Sequence, residues 1–114
     1  MDDKITIRID SILRHIDQIT DDLRNLSLND LENSNLIQRA VSFSIAQIGE
    51  TMVKLEPVLS KQYPELPWAE SRGMRNFIVH NYDSIDIAEI FKTAKDDLPL
   101  LKTKLIDIKN LWVS

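Results

Sequence analysis

Between Trp68 and Tyr82 the chain reads Trp-Ala-Glu-Ser-Arg-Gly-Met-Arg-Asn-Phe-Ile-Val-His-Asn-Tyr, bringing two guanidiniums, a carboxamide, an imidazole and a phenol close together in sequence. On a helix at about 100° per residue, with Arg72 at zero, Asn76 and His80 fall about 40° and 80° to one side; Arg75 and Tyr82 fall about 60° and 80° to the other. Five polar groups then share a face around Val79, and Met74, Phe77 and Ile78 gather on the opposite one. The chemistry such a face suits is that of a phosphate. Arginine offers paired donors that match phosphate oxygens, and histidine can take and return a proton near neutral pH. Together they could cleave a phosphodiester without a metal, with Arg75 stabilising the charge of the pentavalent transition state. The same residues also fit an ordinary surface. Arg72 and Arg75 would then pair with Glu65, Glu70 or Asp83, and His80 would end a helix where a cation favours the dipole.

The segments that must position this face read as helices. Ile5, Ile9, Ile12, Ile16, Ile19, Leu23 and Leu26 are spaced four and three apart, the seam of an amphipathic helix, with Asp10, Arg14, Asp17, Asp21 and Arg24 as its solvated face. Ser27 to Asn35 is rich in Asn, Asp and Ser and predicts a chain reversal. A second helix carries Ile37, Val41, Ile45, Ile48, Met52, Leu55 and Leu59 behind an N-cap at Ser34 or Asn35. Pro57 predicts a break or kink near its end, with a brief resumption over 58–62. The two prolines of Tyr63-Pro-Glu-Leu-Pro-Trp68 make a rigid connector. A third helix starts near Pro67 and runs to about Asn81 or Tyr82. Asp86 and Glu89 have capping-box spacing and open a fourth through Lys95. Pro99 marks the first turn of a fifth, carrying Leu98, Leu101, Leu105, Ile108, Leu111 and Trp112. These elements predict an all-α, up-down bundle of four to five helices over one domain, residues 1–114, with the third helix short and wedged against the others.

Composition narrows the possibilities. The 114 residues carry 14 Lys and Arg against 18 Asp and Glu, a net charge of -4, so no overall basic field holds nucleic acid and any RNA role must be local. The absence of cysteine excludes a thiolate metal site, a disulfide scaffold and a cysteine nucleophile. No apolar run approaches the roughly 18–20 residues that span a bilayer, and the Met-Asp-Asp-Lys start is acidic where a signal peptide is basic, so a cytoplasmic location is expected. Two glycines are few for a phosphate-cradling loop. Of these, Gly49 lies in mid-helix and suggests close helix packing, with a dimer contact as one possibility. His15 lies off the first seam without a partner of catalytic spacing and reads as structural. Two histidines so far apart, and the pairs Asp21-Asp22 and Asp96-Asp97, argue against a catalytic metal centre. Trp68 and Trp112 read as core or interface anchors.

Arg75-Asn-Phe-Ile-Val-His80-Asn-Tyr82, with Tyr63-Pro-Glu-Leu-Pro-Trp68 before it, Asp97-Leu-Pro99 after it, and Arg39-Ala40 and Gly49-Glu50 on the second helix, resembles the HepT-like branch of the HEPN superfamily. The resemblance spans most of residues 35–105 and implies the HEPN helical fold. It further implies a metal-independent endoribonuclease, the toxin of a type VII HEPN/MNT toxin–antitoxin pair, whose Arg-x4-His-x-Tyr motif is the active site. Carried onto this chain, Arg75 and His80 are catalytic, Arg72 and Asn76 bind or position the RNA phosphate, and Tyr82 receives AMP from a minimal nucleotidyltransferase antitoxin. No metal and no cofactor are implied. The substrate would be an mRNA or tRNA. Family members dimerise so that two motifs build one cleft, which lets an acidic monomer concentrate its few cations at a shared groove, and a larger complex with the antitoxin is a further expectation. Asn81 departs from the glycine common between His and Tyr; asparagine tolerates left-handed geometry and can end a helix in the same way. A catalytically silent HEPN module that only binds the nucleotidyltransferase is the competing expectation.

Overall fold

The computed structural model describes residues 3–77 and 86–113, with the side chains of Phe77, Trp112 and Val113 left aside. Six α-helices account for most of it: α1 Asp3–Asp22, α2 Leu28–Glu32, α3 Asn35–Leu59, α4 Trp68–Met74, α5 Ile87–Lys92 and α6 Leu98–Val113. A 3-10 turn, Arg75–Phe77, follows α4, and a π turn, Thr93–Asp97, joins α5 to α6. Among the described residues there is no strand, and the all-α bundle is as the sequence predicts.

The two seams read from the sequence form the core. Ile9, Ile12, Ile16, Ile19 and Leu23 of the first, and Val41, Ile45, Ile48, Met52, Leu55 and Leu59 of the second, are all buried, and α1 lies against both α3 and α6. Lys102 Nζ meets Asp17 Oδ1 at 2.7 Å and Lys109 Nζ meets Asp10 Oδ1 at 2.5 Å, so α1 and α6 run antiparallel and two carboxylates of the expected solvated face are tied to α6. His15 stays on α1, its Nδ1 2.8 Å from the Ser11 carbonyl oxygen. Ile12 has no exposed surface, and replacing it by alanine is expected to cost about 2–5 kcal/mol, read as a lower urea midpoint with an unchanged m-value.

Three local expectations need correction. The Ser27–Asn35 segment holds α2, closed by a capping box in which Asp30 N donates to Ser27 Oγ at 3.1 Å and Ser27 N donates to Asp30 Oδ2 at 2.9 Å. Residues that favour turns also favour N-caps, and Leu31, fully buried, gives the short helix its anchor. Pro57 does not break α3, which runs to Leu59. Only one amide donor is lost in the final turn, and Leu55 and Leu59 pin the helix in the core on either side of it. Pro99 stands in the first turn of α6 as expected, but the helix before it, expected through Lys95, ends at Lys92 and runs through the π turn into α6 without a break. The proline ring would crowd the carbonyl of Lys95, and the wider π turn at that carbonyl relieves the clash. The remaining caps follow the sequence: Ser34 accepts from Ile37 N at 3.2 Å and Asp86 from Glu89 N at 3.2 Å.

Candidate active site

The Pro-rich connector and α4 are built as one plug. Trp68 Nε1 donates to the Tyr63 carbonyl at 2.9 Å, and Leu66, Trp68, Ser71 and Met74 turn inward and are buried. Ser71 Oγ, wholly buried, is satisfied by the Pro67 carbonyl at 2.5 Å. Pro67 is the N-cap rather than the first helical residue, so α4 begins at Trp68. With the inner face fixed in this way, Arg72, Gly73, Arg75 and Asn76 are left exposed.

α4 ends at Met74, and the expected helix end at Asn81 or Tyr82 lies outside the described residues. The chain tightens at Arg75 into the 3-10 turn, where residues advance by about 120° rather than 100°, so the regular-helix angles do not hold over Arg75–Phe77. Arg72, Arg75 and Asn76 nevertheless remain together on the exposed side of one short segment. His80 and Tyr82 lie outside the described residues.

The turn packs closely against α3. A Cβ built on Gly49 of α3 would stand 2.5 Å from the Arg75 amide nitrogen, 2.8 Å from the Ser71 carbonyl oxygen and 2.9 Å from Met74 Cβ. The close packing expected at Gly49 is therefore an intrachain contact with the α4 turn, where a dimer contact had been one possibility. Met74, inward and buried, fills the space beside it.

The two guanidiniums differ in their surroundings. Arg72 donates to Glu56 Oε2 of α3, with both side chains partly exposed. Neither Glu65 nor Glu70, the described partners suggested by sequence, holds it. Sixteen residues separate Arg72 from Glu56, and that distance carries no helical-spacing signal. Among the described residues no carboxylate pairs with Arg75, whose guanidinium belongs to an exposed residue. A fixed backbone and an exposed fork of donors are what an oxyanion or phosphate oxygen requires. Among the described residues no group of three or more His, Asp or Glu is placed to hold a metal ion, and none of the described helices is long and apolar enough to cross a membrane.

The described bundle is all-α, with an exposed arginine at the end of a short helix packed on α3, and comparison with known proteins identifies its family. Residues 12–108 match the family described as ribonuclease HepT-like, and the chain belongs to that family. It is 31% identical over 91 residues to "Putative RNase MJ1216" of Methanocaldococcus jannaschii, covering 80% of this chain and 75% of that protein. It is 30% identical over 96 residues to "Probable ribonuclease HepT" of Thermococcus cleftensis, covering 84% and 87% respectively. A third relative, "Gamma-glutamylcyclotransferase and putative RNase MJ0434" of Methanocaldococcus jannaschii, is 28% identical over 104 residues, 91% of this chain but 47% of that protein. No solved structure matches the chain significantly.

Proposed function

We propose that this chain is a metal-independent endoribonuclease toxin of an HEPN/MNT pair, with Arg75 and His80 as its catalytic residues. The observation that carries the reading is Arg75 itself: an exposed guanidinium, unpaired with any described carboxylate, on a backbone braced against α3, in a chain of the ribonuclease HepT-like family. In the proposed reaction the RNA 2′-hydroxyl attacks its own phosphorus while a base, His80 of one protomer, removes its proton. Arg75 takes the growing charge on the nonbridging oxygens, and the 5′-oxygen leaves with a proton from the acid, giving a 2′,3′-cyclic phosphate and a 5′-hydroxyl. A second copy, joined as a homodimer, would supply the second imidazole and double the positive charge of the cleft. Along α3, Leu36, Ala40 and Phe43 form an exposed stripe spaced four and three apart, an apolar surface consistent with such pairing. In the same reading Asn76 orients the phosphate or the histidine, and the antitoxin silences the site by transferring AMP to Tyr82.

Incubating the purified protein with total cellular RNA in EDTA tests this directly. Cleavage leaving 2′,3′-cyclic phosphate and 5′-hydroxyl ends is expected; intact RNA, or cleavage only on adding a divalent cation, overturns it. The surviving function would then be that of a partner-binding module.

Arg72 is assigned to the RNA phosphate while Glu56 competes for it. Glu56→Gln removes the competing charge and is expected to lower KM for RNA by up to about fivefold, the range of an exposed ion pair, while kcat stays close to wild type. Arg72→Ala should raise KM. Steady-state kinetics on a labelled RNA carrying a mapped cleavage site checks both.

A further inference from the structure

Gly49 stands 26 positions before Arg75 in sequence, on a different helix, and its side is closed. Of the three atoms nearest a Cβ at this position, two are backbone, the Ser71 carbonyl oxygen at 2.8 Å and the Arg75 amide nitrogen at 2.5 Å. These two groups lie four residues apart at the C-terminal end of α4, where the Arg75 amide donates to the Gly73 carbonyl, so α3 rests on the turn in which the chain tightens. Neither can swing aside as a flexible side chain would. Gly73 is the contrasting case: it lies in the same turn, two residues before Arg75, and a Cβ there meets nothing within 4 Å.

Which side yields when Gly49 gains a methyl group follows from the packing. α3 is a 25-residue helix whose inward positions are fully buried against α1, whereas α4 has seven residues and ends at the contact. The short element moves. To reach ordinary contact at 3.4 Å from its present 2.5 Å, the Arg75 amide must retreat by about 1 Å, carrying the guanidinium with it. A displacement of that size at a transition-state donor costs about 100-fold in rate.

We infer that Gly49 is a positioning residue for the ribonuclease reaction, the backbone stop against which the Arg75 turn is set. This rests on the reading of Arg75 as catalytic. The expected result for Gly49→Ala is a fall in kcat of about 100-fold on a labelled RNA, with KM changed less than threefold, because ground-state phosphate contacts from exposed side chains tolerate a shift of this size better than transition-state alignment does. Gly73→Ala should retain kcat within threefold. Wild-type kcat in a folded Gly49→Ala protein overturns the inference, as does an equal loss in Gly73→Ala. Amide hydrogen exchange in the wild-type protein decides the matter if Gly49→Ala does not fold: the Arg75 amide, covered by α3, should exchange at least about 100-fold more slowly than in an unstructured peptide, and exchange at the free-peptide rate overturns the inference. Arg75→Ala separates the two ideas. If that variant cuts RNA normally, the catalytic reading of Arg75 fails, whatever the exchange data say about the packing at Gly49.

Discussion

Replacing His80 by alanine is expected to abolish RNA cleavage and toxicity while leaving the bundle folded. Proton transfer by a positioned side chain contributes about 10²–10⁴-fold, and the 2′-hydroxyl is a poor nucleophile until its proton is removed. Arg75→Ala should lose about 10²–10³-fold by stripping the donors from the pentavalent phosphorus. Arg75→Lys should fare little better, since an ammonium is a point charge and cannot reproduce the planar fork. Far-UV circular dichroism and the thermal midpoint confirm folding, and cleavage of labelled RNA in EDTA gives the rates. Undiminished activity in His80→Ala removes the imidazole from the mechanism and with it the proposed reaction.

Tyr82→Phe is expected to yield a toxin that its antitoxin cannot silence. The change removes one oxygen, the only atom of that side chain able to accept an adenylyl group, and leaves the ring in place. RNA cleavage should persist. Labelling from ATP in the presence of the nucleotidyltransferase should disappear, and cells expressing both partners should stop growing where those with the wild-type pair do not. The proposed physical basis is charge: a phosphodiester on the phenol would add a permanent anion seven residues from Arg75 in sequence, which would compete with the substrate phosphate. A phenylalanine variant that remains fully neutralised would mean that inhibition acts elsewhere, through occlusion by the bound partner or another acceptor.

The long elements were legible because each announces itself by one periodic pattern. Ile5 to Leu26 and Ile37 to Leu59 are uninterrupted seams, and every position that the pattern assigns to the core is buried except Leu26 and Ile37, at the ends facing the α1–α3 connection, which are partly buried against the core. What sequence obscured arises from competition between local and tertiary effects. Pro57 and Pro99 are helix breakers by local rule, yet a buried leucine on each side of one and a widened turn before the other keep the chain helical. Ser27 and Asp30 read equally well as turn residues or caps, and Leu31 decides between them. At the site, the residue types at positions 72, 75 and 76 suggested a chemistry, but the regular-helix angles fail over the 3-10 turn Arg75–Phe77, and the contact of that turn with Gly49 on another helix leaves no local signal. Glu56 was invisible for the same reason: an ion pair between helices leaves no trace in spacing.

The π turn between α5 and α6 amounts to one residue more than a regular helix would need over the same span. Were the same residues wound as an ordinary helix instead, everything downstream would rotate by about 100° and advance by about 1.5 Å. Leu101, Leu105 and Ile108 would leave the core together, and the salt links from Lys102 and Lys109 to α1 would lose register. Lys95, whose ammonium reaches the Leu23 carbonyl and lies 5.5 Å from the centre of the Phe91 ring, would be the first to lose its place. The widened turn thus acts as a phase setting for the C-terminal helix, absorbing one surplus residue so that α6 still presents its leucines to the core.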